Sequence, residues 1–240
     1  MSPHIQPSRV LPGGVLPLRP ERTVSEPCVE LGWPGLEPKK PCLDVFIFDS
    51  SGSVTAPLGN DPVGNRFAEA KAAIRLVAQW SFTDRSKVAI LHFDHPRGAS
   101  GVVSLNDRHL TSKLGPVLGN PGGAGTSDVL PAVMELERLA AVYPDHDVRA
   151  TIFSDFELTD PHPEEIFTRL GSFPGRIHAV VLGGHVPPDL FQDTITVTML
   201  TPADAPGTFA AALLRSMTAT RRGARYSVLH TPRAGKRVLS

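Results

Sequence analysis

Short apolar runs alternate with amphipathic stretches between Leu43 and Thr220, and this alternation limits the fold more than any other feature of the sequence. Apolar strands that alternate with helices indicate a largely parallel sheet with helices on both faces. The turn-rich sequence DHPRGAS joins two of the apolar runs and is compatible with a hairpin. The predicted architecture is therefore a doubly wound α/β domain with one antiparallel edge hairpin. Its predicted strands cover residues 43–49, 87–93, 101–105, 147–155, 176–183 and 194–200.

The amphipathic stretches carry apolar residues at helical spacing. Asn65 is placed to cap the first of the long helices, whose polar face is predicted to carry Glu69. Pro131 falls in the first turn of a later helix, where a missing N–H group is best tolerated. Asp204 is placed to cap the last helix. The predicted helices cover residues 66–80, 107–114, 128–142 and 206–217.

The two ends of the chain differ in composition from this central region. Nine of the chain's 24 prolines lie in the first 41 residues, which show no sustained helical or strand period. We therefore predict a largely irregular arm over 1–42, followed by the domain over 43–220. The last twenty residues contain six Arg or Lys and no acidic residue, so 221–240 is predicted to be a basic tail, either solvated or docked on an acidic partner.

Basic and acidic side chains balance, with 24 of each, so no net charge favours binding to nucleic acid or to an anionic membrane. No stretch approaches the roughly 20 apolar residues of a membrane-spanning helix, and the N-terminus lacks the apolar block of a secretory signal. These features predict a cytoplasmic protein without membrane association. Cys28 and Cys42 are expected to be reduced thiols in that compartment, and a disulfide between them is the alternative.

Three loops at the same predicted edge of the sheet carry oxygen-bearing side chains, two carboxylates and three hydroxyls. Ligands of open α/β sheets collect at this edge, outside the carboxyl ends of the strands. An all-oxygen set suits a hard divalent cation, Mg²⁺ or Mn²⁺, and not zinc. Hydroxyls are weak, neutral ligands, so the ion is expected to keep an open position for a carboxylate of another protein. The side chains are Asp49, Ser51, Ser53, Thr126 and Asp155.

The sequence DSSGS after an apolar strand, GTS before a helix and SD after a later strand resemble the von Willebrand factor A (vWA) domain, a Rossmann-like fold. The metal-ion-dependent adhesion site (MIDAS) of that family is written as DxSxS, a Thr and an Asp, and all five positions match. The resemblance implies that Ser51, Ser53 and Thr126 contact the ion directly or through water. Asp49 and Asp155 would act mainly through bridging waters and hydrogen bonds. The implied function is metal-dependent protein binding without turnover, an adaptor and not an enzyme.

Departures from the family pattern bear on the partner. Phe156 stands where many members have a glycine, and bulk there is expected to restrict which ligands approach the ion. Glu157 and Asp160 follow in the same loop, either as solvated acids or as contacts that tune partner binding. Arg221 and Arg222 in the basic tail are further candidate partner contacts. The expected partner is a protein that supplies an Asp or Glu, and the resemblance points to systems with AAA+ ATPases, kinases or phosphatases.

A Mg²⁺-dependent phosphotransferase or phosphatase of the haloacid dehalogenase type is the alternative. Such enzymes also start from an Asp after the first strand, but they need a second Asp two residues later, where this chain has Ser51. A P-loop is excluded because GNPGGAGTS has no Lys before its Thr-Ser, and no nucleophile elbow surrounds the serines.

Histidines and the basic tail suggest two further sites. His92, Asp94 and His95 are spaced like metal ligands, but a catalytic zinc site usually needs three protein ligands, so they are interpreted as the end of an edge strand. His178 alternates with apolar residues, which predicts a hydrogen-bonded core histidine. Nucleic-acid binding rests only on the basic tail, where Tyr226 is the sole aromatic residue available for stacking.

Overall fold

A six-stranded sheet forms the centre of the computed structural model, which describes residues 29–55, 59–61, 65–119, 127–183, 190–204 and 206–230. The strands of the described residues are β1 (Val29–Trp33), β2 (Cys42–Phe48), β3 (Ser86–His92), β4 (Val102–Ser104), β5 (Asp147–Ser154), β6 (Arg176–Leu182), β7 (Ile195–Leu200) and β8 (Arg225–His230). The sheet order is β4-β3-β2-β5-β6-β7, and only the β3–β4 pair is antiparallel. The predicted doubly wound, mostly parallel sheet with one edge hairpin is confirmed.

Helices cover both faces of this sheet. Those of the described residues are α1 (Gly52–Thr55), α2 (Arg66–Gln79), α3 (Leu110–Leu114), α4 (Leu130–Val142), α5 (Pro163–Gly171) and α6 (Thr208–Thr218). Apolar residues of α2, α3 and α6 pack on one face, and those of α4 and α5 pack on the other. Because β2 is buried on both faces, its sequence CLDVFIF is apolar at almost every position instead of alternating. No helix among the described residues has the length and apolar character needed to cross a membrane.

Element ends differ slightly from the predictions. The strand predicted over 43–49 runs one residue earlier, although the N–H of Asp49 still donates to Phe153 O at 2.9 Å and so extends the ladder. Helix α5 was not predicted, although Pro163 at its start, two acidic residues in its first turn and Arg169 in its last turn are ordinary helix signals. Pro131 lies at the start of α4 as predicted.

The N-terminus of α6 is capped by a residue of another helix, which corrects two predictions. Glu69 is buried and not on a polar face, because its carboxylate accepts hydrogen bonds from Gly207 N at 2.9 Å and Ala210 N at 3.0 Å. Asp204 instead accepts bonds from the N–H and hydroxyl groups of Thr201. A buried carboxylate thus satisfies backbone donors that a helix start leaves unpaired.

The arm and the tail contribute to one small sheet. Strand β1 lies inside the segment predicted to be irregular, and it pairs antiparallel with β8 from the basic tail. The prediction missed this strand because backbone pairing of distant segments leaves no sign in local composition. Arg221 was predicted as a partner contact, but it is buried and donates to Gly35 O, Ser81 Oγ and Trp80 O, so it joins these segments. Arg222 is exposed, and its role stays a prediction, as do the domain boundaries.

Cys42 is a buried free thiol at the start of β2. Burial and the nearby Asp44 carboxylate raise the pKa of this thiol to about 11, so it stays protonated at neutral pH. Cys28, the other residue of the predicted thiol pair, lies outside the described residues.

Replacing Glu69 tests the capping role. Glu69→Ala removes the acceptor for two buried N–H groups, so we expect the free energy of unfolding to fall by about 2–4 kcal/mol, measured by urea denaturation. Arg75→Ala, at an exposed position of the same helix as Glu69, is the control and should change stability by less than about 0.5 kcal/mol. Equal stability of Glu69→Ala and the parent chain would contradict the capping role.

Candidate functional site

Asp49 lies at the carboxyl end of β2, where its side chain is fully buried. Its Oδ1 accepts a hydrogen bond from Ser51 N at 2.8 Å, and its Oδ2 accepts one from Ser154 Oγ at 2.6 Å. Burial raises the pKa of Asp49, and these hydrogen bonds act in the opposite direction. The carboxylate thus fixes the first loop of the site and ties it to the end of β5.

Two hydroxyls of the first loop lie side by side. Ser51 O accepts hydrogen bonds from Val54 N and Thr55 N, which starts the short helix α1 and turns the chain back over the strand end. Ser51 Oγ and Ser53 Oγ are 3.0 Å apart. Octahedral Mg²⁺ holds oxygens at about 2.0–2.1 Å, so neighbouring ligand oxygens around it are about 3 Å apart, whereas Ca²⁺ at about 2.3–2.6 Å spaces them more widely. The separation is that of a hydrogen bond between the two hydroxyls, and it is also compatible with neighbouring ligands of a small, hard cation.

Asp155 lies at the end of β5, next to β2 in the sheet, so the third predicted loop adjoins the first. The side chain is buried, its Oδ1 accepts a bond from Glu157 N at 3.1 Å, and its Oδ2 accepts one from Asn60 Nδ2 at 3.0 Å. Asn60 is a site residue that the sequence reasoning missed. A Cβ at Gly183 would lie 2.4 Å from Asn60 O, so this glycine lets the Asn60 backbone approach closely.

Thr126, the third predicted hydroxyl, lies outside the described residues. The next residue, Ser127, accepts a hydrogen bond from Thr159 N at 3.4 Å, which links the start of the α4 segment to the loop that carries Asp155. Four of the five predicted metal-site residues therefore lie on the neighbouring loops after β2 and β5. The position of the fifth, Thr126, stays a prediction.

Asp160 is neither a solvated acid nor an accessible partner contact, in contrast to both sequence interpretations. It is buried, and its two oxygens accept hydrogen bonds from Val129 N at 2.9 Å and Leu130 N at 3.0 Å. Asp160 therefore caps α4, and the bonds join its loop to the helix. Glu157 is exposed, and its contact with a partner stays a prediction.

Phe156 adopts a left-handed backbone conformation with φ of 58°, which favours glycine. Glycine would adopt this conformation without strain, so Phe156 is held in a strained backbone conformation. Its ring is buried, 5.0 Å from the ring centroid of Phe191 and 6.5 Å from that of Phe167. The ring thus belongs to the core beneath α5, and the expectation that its bulk screens the ion is not supported.

His92 is a buried interior residue, not the end of an edge strand. Its Nε2 lies 2.9 Å from Val117 O, a group that only accepts, so Nε2 carries the proton and Nδ1 accepts from Ser50 Oγ at 3.0 Å. Burial lowers the pKa of His92, and the charge of Arg66 adds to this effect. No group of three or more His, Cys, Asp or Glu side chains that could hold a metal ion occurs among the described residues. The metal-ligand arrangement suggested by the spacing of His92, Asp94 and His95 is therefore not formed there.

Arg66 is a second residue that the sequence reasoning missed. Its side chain is only 2% exposed, with Nε 3.8 Å from Asp61 Oδ2 and the guanidinium 4.9 Å from the Phe67 ring centroid. Its Nη1 and Nη2 are buried and have no acceptor among the described residues. Burial lowers the pKa of Arg66, while the charges of Asp61, Asp49 and Asp155 raise it. The buried positive charge of the Arg66 guanidinium therefore interacts electrostatically with the carboxylates of the candidate site.

Comparisons with known proteins identify the fold. No family model matches the sequence, and no curated protein matches it. A solved structure of a von Willebrand factor type A protein from Catenulispora acidiphila is similar over 80% of this chain, with 16% identity and a TM-score of 0.50. The pilus adhesin SpaC from Lactobacillus rhamnosus GG is similar over 77% of this chain, with 10% identity and a TM-score of 0.53.

The chain has a vWA fold. At these identities the similarity concerns the fold alone. The matched part covers 48% of the Catenulispora chain and 31% of the SpaC chain, so this vWA-fold chain corresponds to only part of each protein.

Substitutions of Phe156 separate backbone strain from packing. Phe156→Ala loses the ring contacts and should destabilise by about 3–5 kcal/mol. Phe156→Gly loses the same contacts but adopts the left-handed conformation without strain, so we expect it to be more stable than Phe156→Ala by about 1 kcal/mol in urea denaturation. At ordinary positions glycine is the less stable of the two. If Phe156→Gly is less stable than Phe156→Ala, the inference that the backbone is strained at Phe156 is wrong.

Proposed function

We propose that this chain is a protein-binding module in which a divalent cation, Mg²⁺ or Mn²⁺, recruits an acidic side chain of a partner. The proposal rests on one observation. The hydroxyls of Ser51 and Ser53 lie 3.0 Å apart beside two carboxylates, Asp49 and Asp155, that are buried and locked by internal hydrogen bonds. The candidate metal ligands are all oxygen atoms, which these hard cations prefer.

The residues of the chain have separate roles in this proposal. Ser51 and Ser53, together with Thr126, would hold the ion. Asp49 already has donors on both oxygens, so it acts as a fixed negative charge that orients the loop. Asp155 does the same at the end of β5 through Asn60. When bound, the cation supplies a Lewis-acidic position for a carboxylate oxygen of the partner.

The alternative, a phosphotransferase, is disfavoured by the environment of Asp49. A nucleophilic carboxylate needs an oxygen that can reach phosphorus, whereas Asp49 is fully buried with both oxygens bonded internally. The position of the required general acid is held by Ser51. These features favour a binding role without turnover over the phosphotransferase. We further propose that the chain acts in a cytoplasmic multi-protein system of the kind that includes AAA+ ATPases, kinases or phosphatases.

Removing the two hydroxyls tests the metal site. We expect Ser51→Ala/Ser53→Ala to weaken Mg²⁺ and Mn²⁺ binding by at least about tenfold in titration calorimetry, because two neutral oxygen ligands are lost. Ser112→Ala, at an exposed position of α3, is the matched control and should bind like the parent chain.

Partner recruitment is tested with the same variants. Proteins captured from a lysate in Mg²⁺ should be lost both on adding EDTA and with the Ser51→Ala/Ser53→Ala chain. Capture that survives both would contradict the proposal. Hydrolysis of p-nitrophenyl phosphate that Asp49→Asn abolishes would favour the phosphatase instead.

Arg66 is expected to oppose the cation. Its guanidinium repels a divalent ion at the site and offsets the carboxylate charge before the ion binds. We expect Arg66→Met to tighten Mg²⁺ binding by about tenfold and to lower the melting temperature in EDTA. Arg75→Met, an exposed position of the same helix, is the control. Weaker Mg²⁺ binding by Arg66→Met would show that Arg66 supports the metal site.

A further inference from the structure

A cavity of about 230 Å³ lies over the amino-terminal halves of β5, β6 and β7 beside the end of α6. It is distinct from the candidate metal site, because the chain from Arg149 in its wall to Asp155 spans about 20 Å at about 3.3 Å per residue. The two sites therefore occupy opposite ends of the strands.

Strand register collects polar residues on the wall of this cavity. Arg149 pairs with Arg176, and His178 pairs with Thr196, so the side chains of these neighbours point to the same face. The same face becomes apolar toward the carboxyl ends of the strands, where Phe209 and other residues of α6 cover it. The polar residues thus mark the part of the face that α6 leaves open.

Three arginines line the cavity, and no acidic residue lines its described part. Arg149 is buried, with Nη2 2.9 Å from Asp44 Oδ2, and its buried Nε has no acceptor among the described residues. Arg176 is exposed, and its Nη2 lies 3.9 Å from Asp147 Oδ2.

Arg215 carries a positive charge that is not offset by a carboxylate of the described residues. It is exposed, its guanidinium lies 5.8 Å from the Tyr226 ring centroid, and no described carboxylate is within ion-pair distance. With Arg149 and Arg176 each paired, the described wall of the cavity has an excess of positive charge.

Hydroxyl groups provide further donors. His178 Nε2 is 2.9 Å from Thr198 Oγ1, and His178 Nδ1 contacts Ser216 Oγ. Burial and the charge of Arg215 lower the pKa of His178 to about 4, so the ring is neutral at pH 7 and donates from one nitrogen only. The hydroxyl that accepts this proton keeps its own O–H free to donate. Thr196 adds an exposed hydroxyl.

We propose that this cavity binds a phosphate monoester through Arg215, Arg176, the hydroxyl of Thr196 and the one hydroxyl, of Thr198 or Ser216, that accepts the His178 proton. A phosphate group carries about −1.5 to −2 charges and three acceptor oxygens, which match a cluster of guanidinium and hydroxyl donors. The cavity is smaller than the roughly 300–1,000 Å³ of pockets for drug-sized ligands, so it suits a single phosphate-bearing group. The group comes either from a small molecule or from a phosphorylated side chain.

NMR titration of the full chain at pH 7 tests this site. Inorganic phosphate, a phosphoserine peptide and its unphosphorylated form are added separately, with sodium chloride matching the ionic strength. The ring signals of His178, assigned with His178→Gln, should shift with the phosphate-bearing probes and stay unchanged with the unphosphorylated peptide. A phosphopeptide that binds at least tenfold more tightly than inorganic phosphate identifies a protein as the source, and equal affinities identify a small molecule.

Charge variants provide the specificity control. Arg215→Gln should weaken phosphate binding by about tenfold or more, because a charge-assisted hydrogen bond is lost. Arg225→Gln removes another exposed charge outside the cavity wall and should change affinity less than twofold. Equal effects of the two variants, or unchanged His178 signals at saturating phosphate, would overturn the proposal. The metal site is untouched by these variants, so Mg²⁺ binding reports independently on the proposed function.

Discussion

The hydrogen bond from Ser154 Oγ to Asp49 Oδ2 is the interaction on which the candidate site depends. It joins the ends of the two central strands at 2.6 Å and brings the loops after β2 and β5 into one site. Because Asp49 is fully buried, its negative charge is tolerated only with donors on both oxygens. The same bonds hold the Ser51 loop in place, which would lower the reorganisation that the proposed ion binding requires.

Carboxylates from distant parts of the chain hold the surrounding scaffold. Glu69 caps α6 from α2, and Asp160 caps α4 from the loop that carries Asp155. Arg66 adds a buried positive charge beside the site. The candidate metal site and the basic cavity lie at opposite ends of the same strands, so the sheet presents two regions of different ligand chemistry. We propose that one region binds a cation with an acidic ligand and that the other binds a phosphate group.

The sequence predicted the sheet and the positions of the loops that carry Asp49 and Asp155, because both follow from local patterns. Apolar runs mark buried parallel strands, and a motif that follows a strand must lie at its carboxyl end. The roles of Glu69, Asn60 and Arg221 were not predictable in this way. Glu69 lies 138 residues from Gly207, and Asn60 lies 95 residues from Asp155, so only the tertiary fold brings each pair together. A charged residue in a helix is ordinarily solvent-exposed, which is why Glu69 was assigned to the polar face.

A crystal structure of the full chain soaked in Mn²⁺, with anomalous scattering recorded at the manganese edge, tests the central claim most directly. The account predicts a single strong anomalous peak within about 2.0–2.3 Å of both Ser51 Oγ and Ser53 Oγ. It also predicts Thr126 at the same ion and a position open to solvent. A peak elsewhere in the molecule, or no peak at saturating Mn²⁺, would contradict the account.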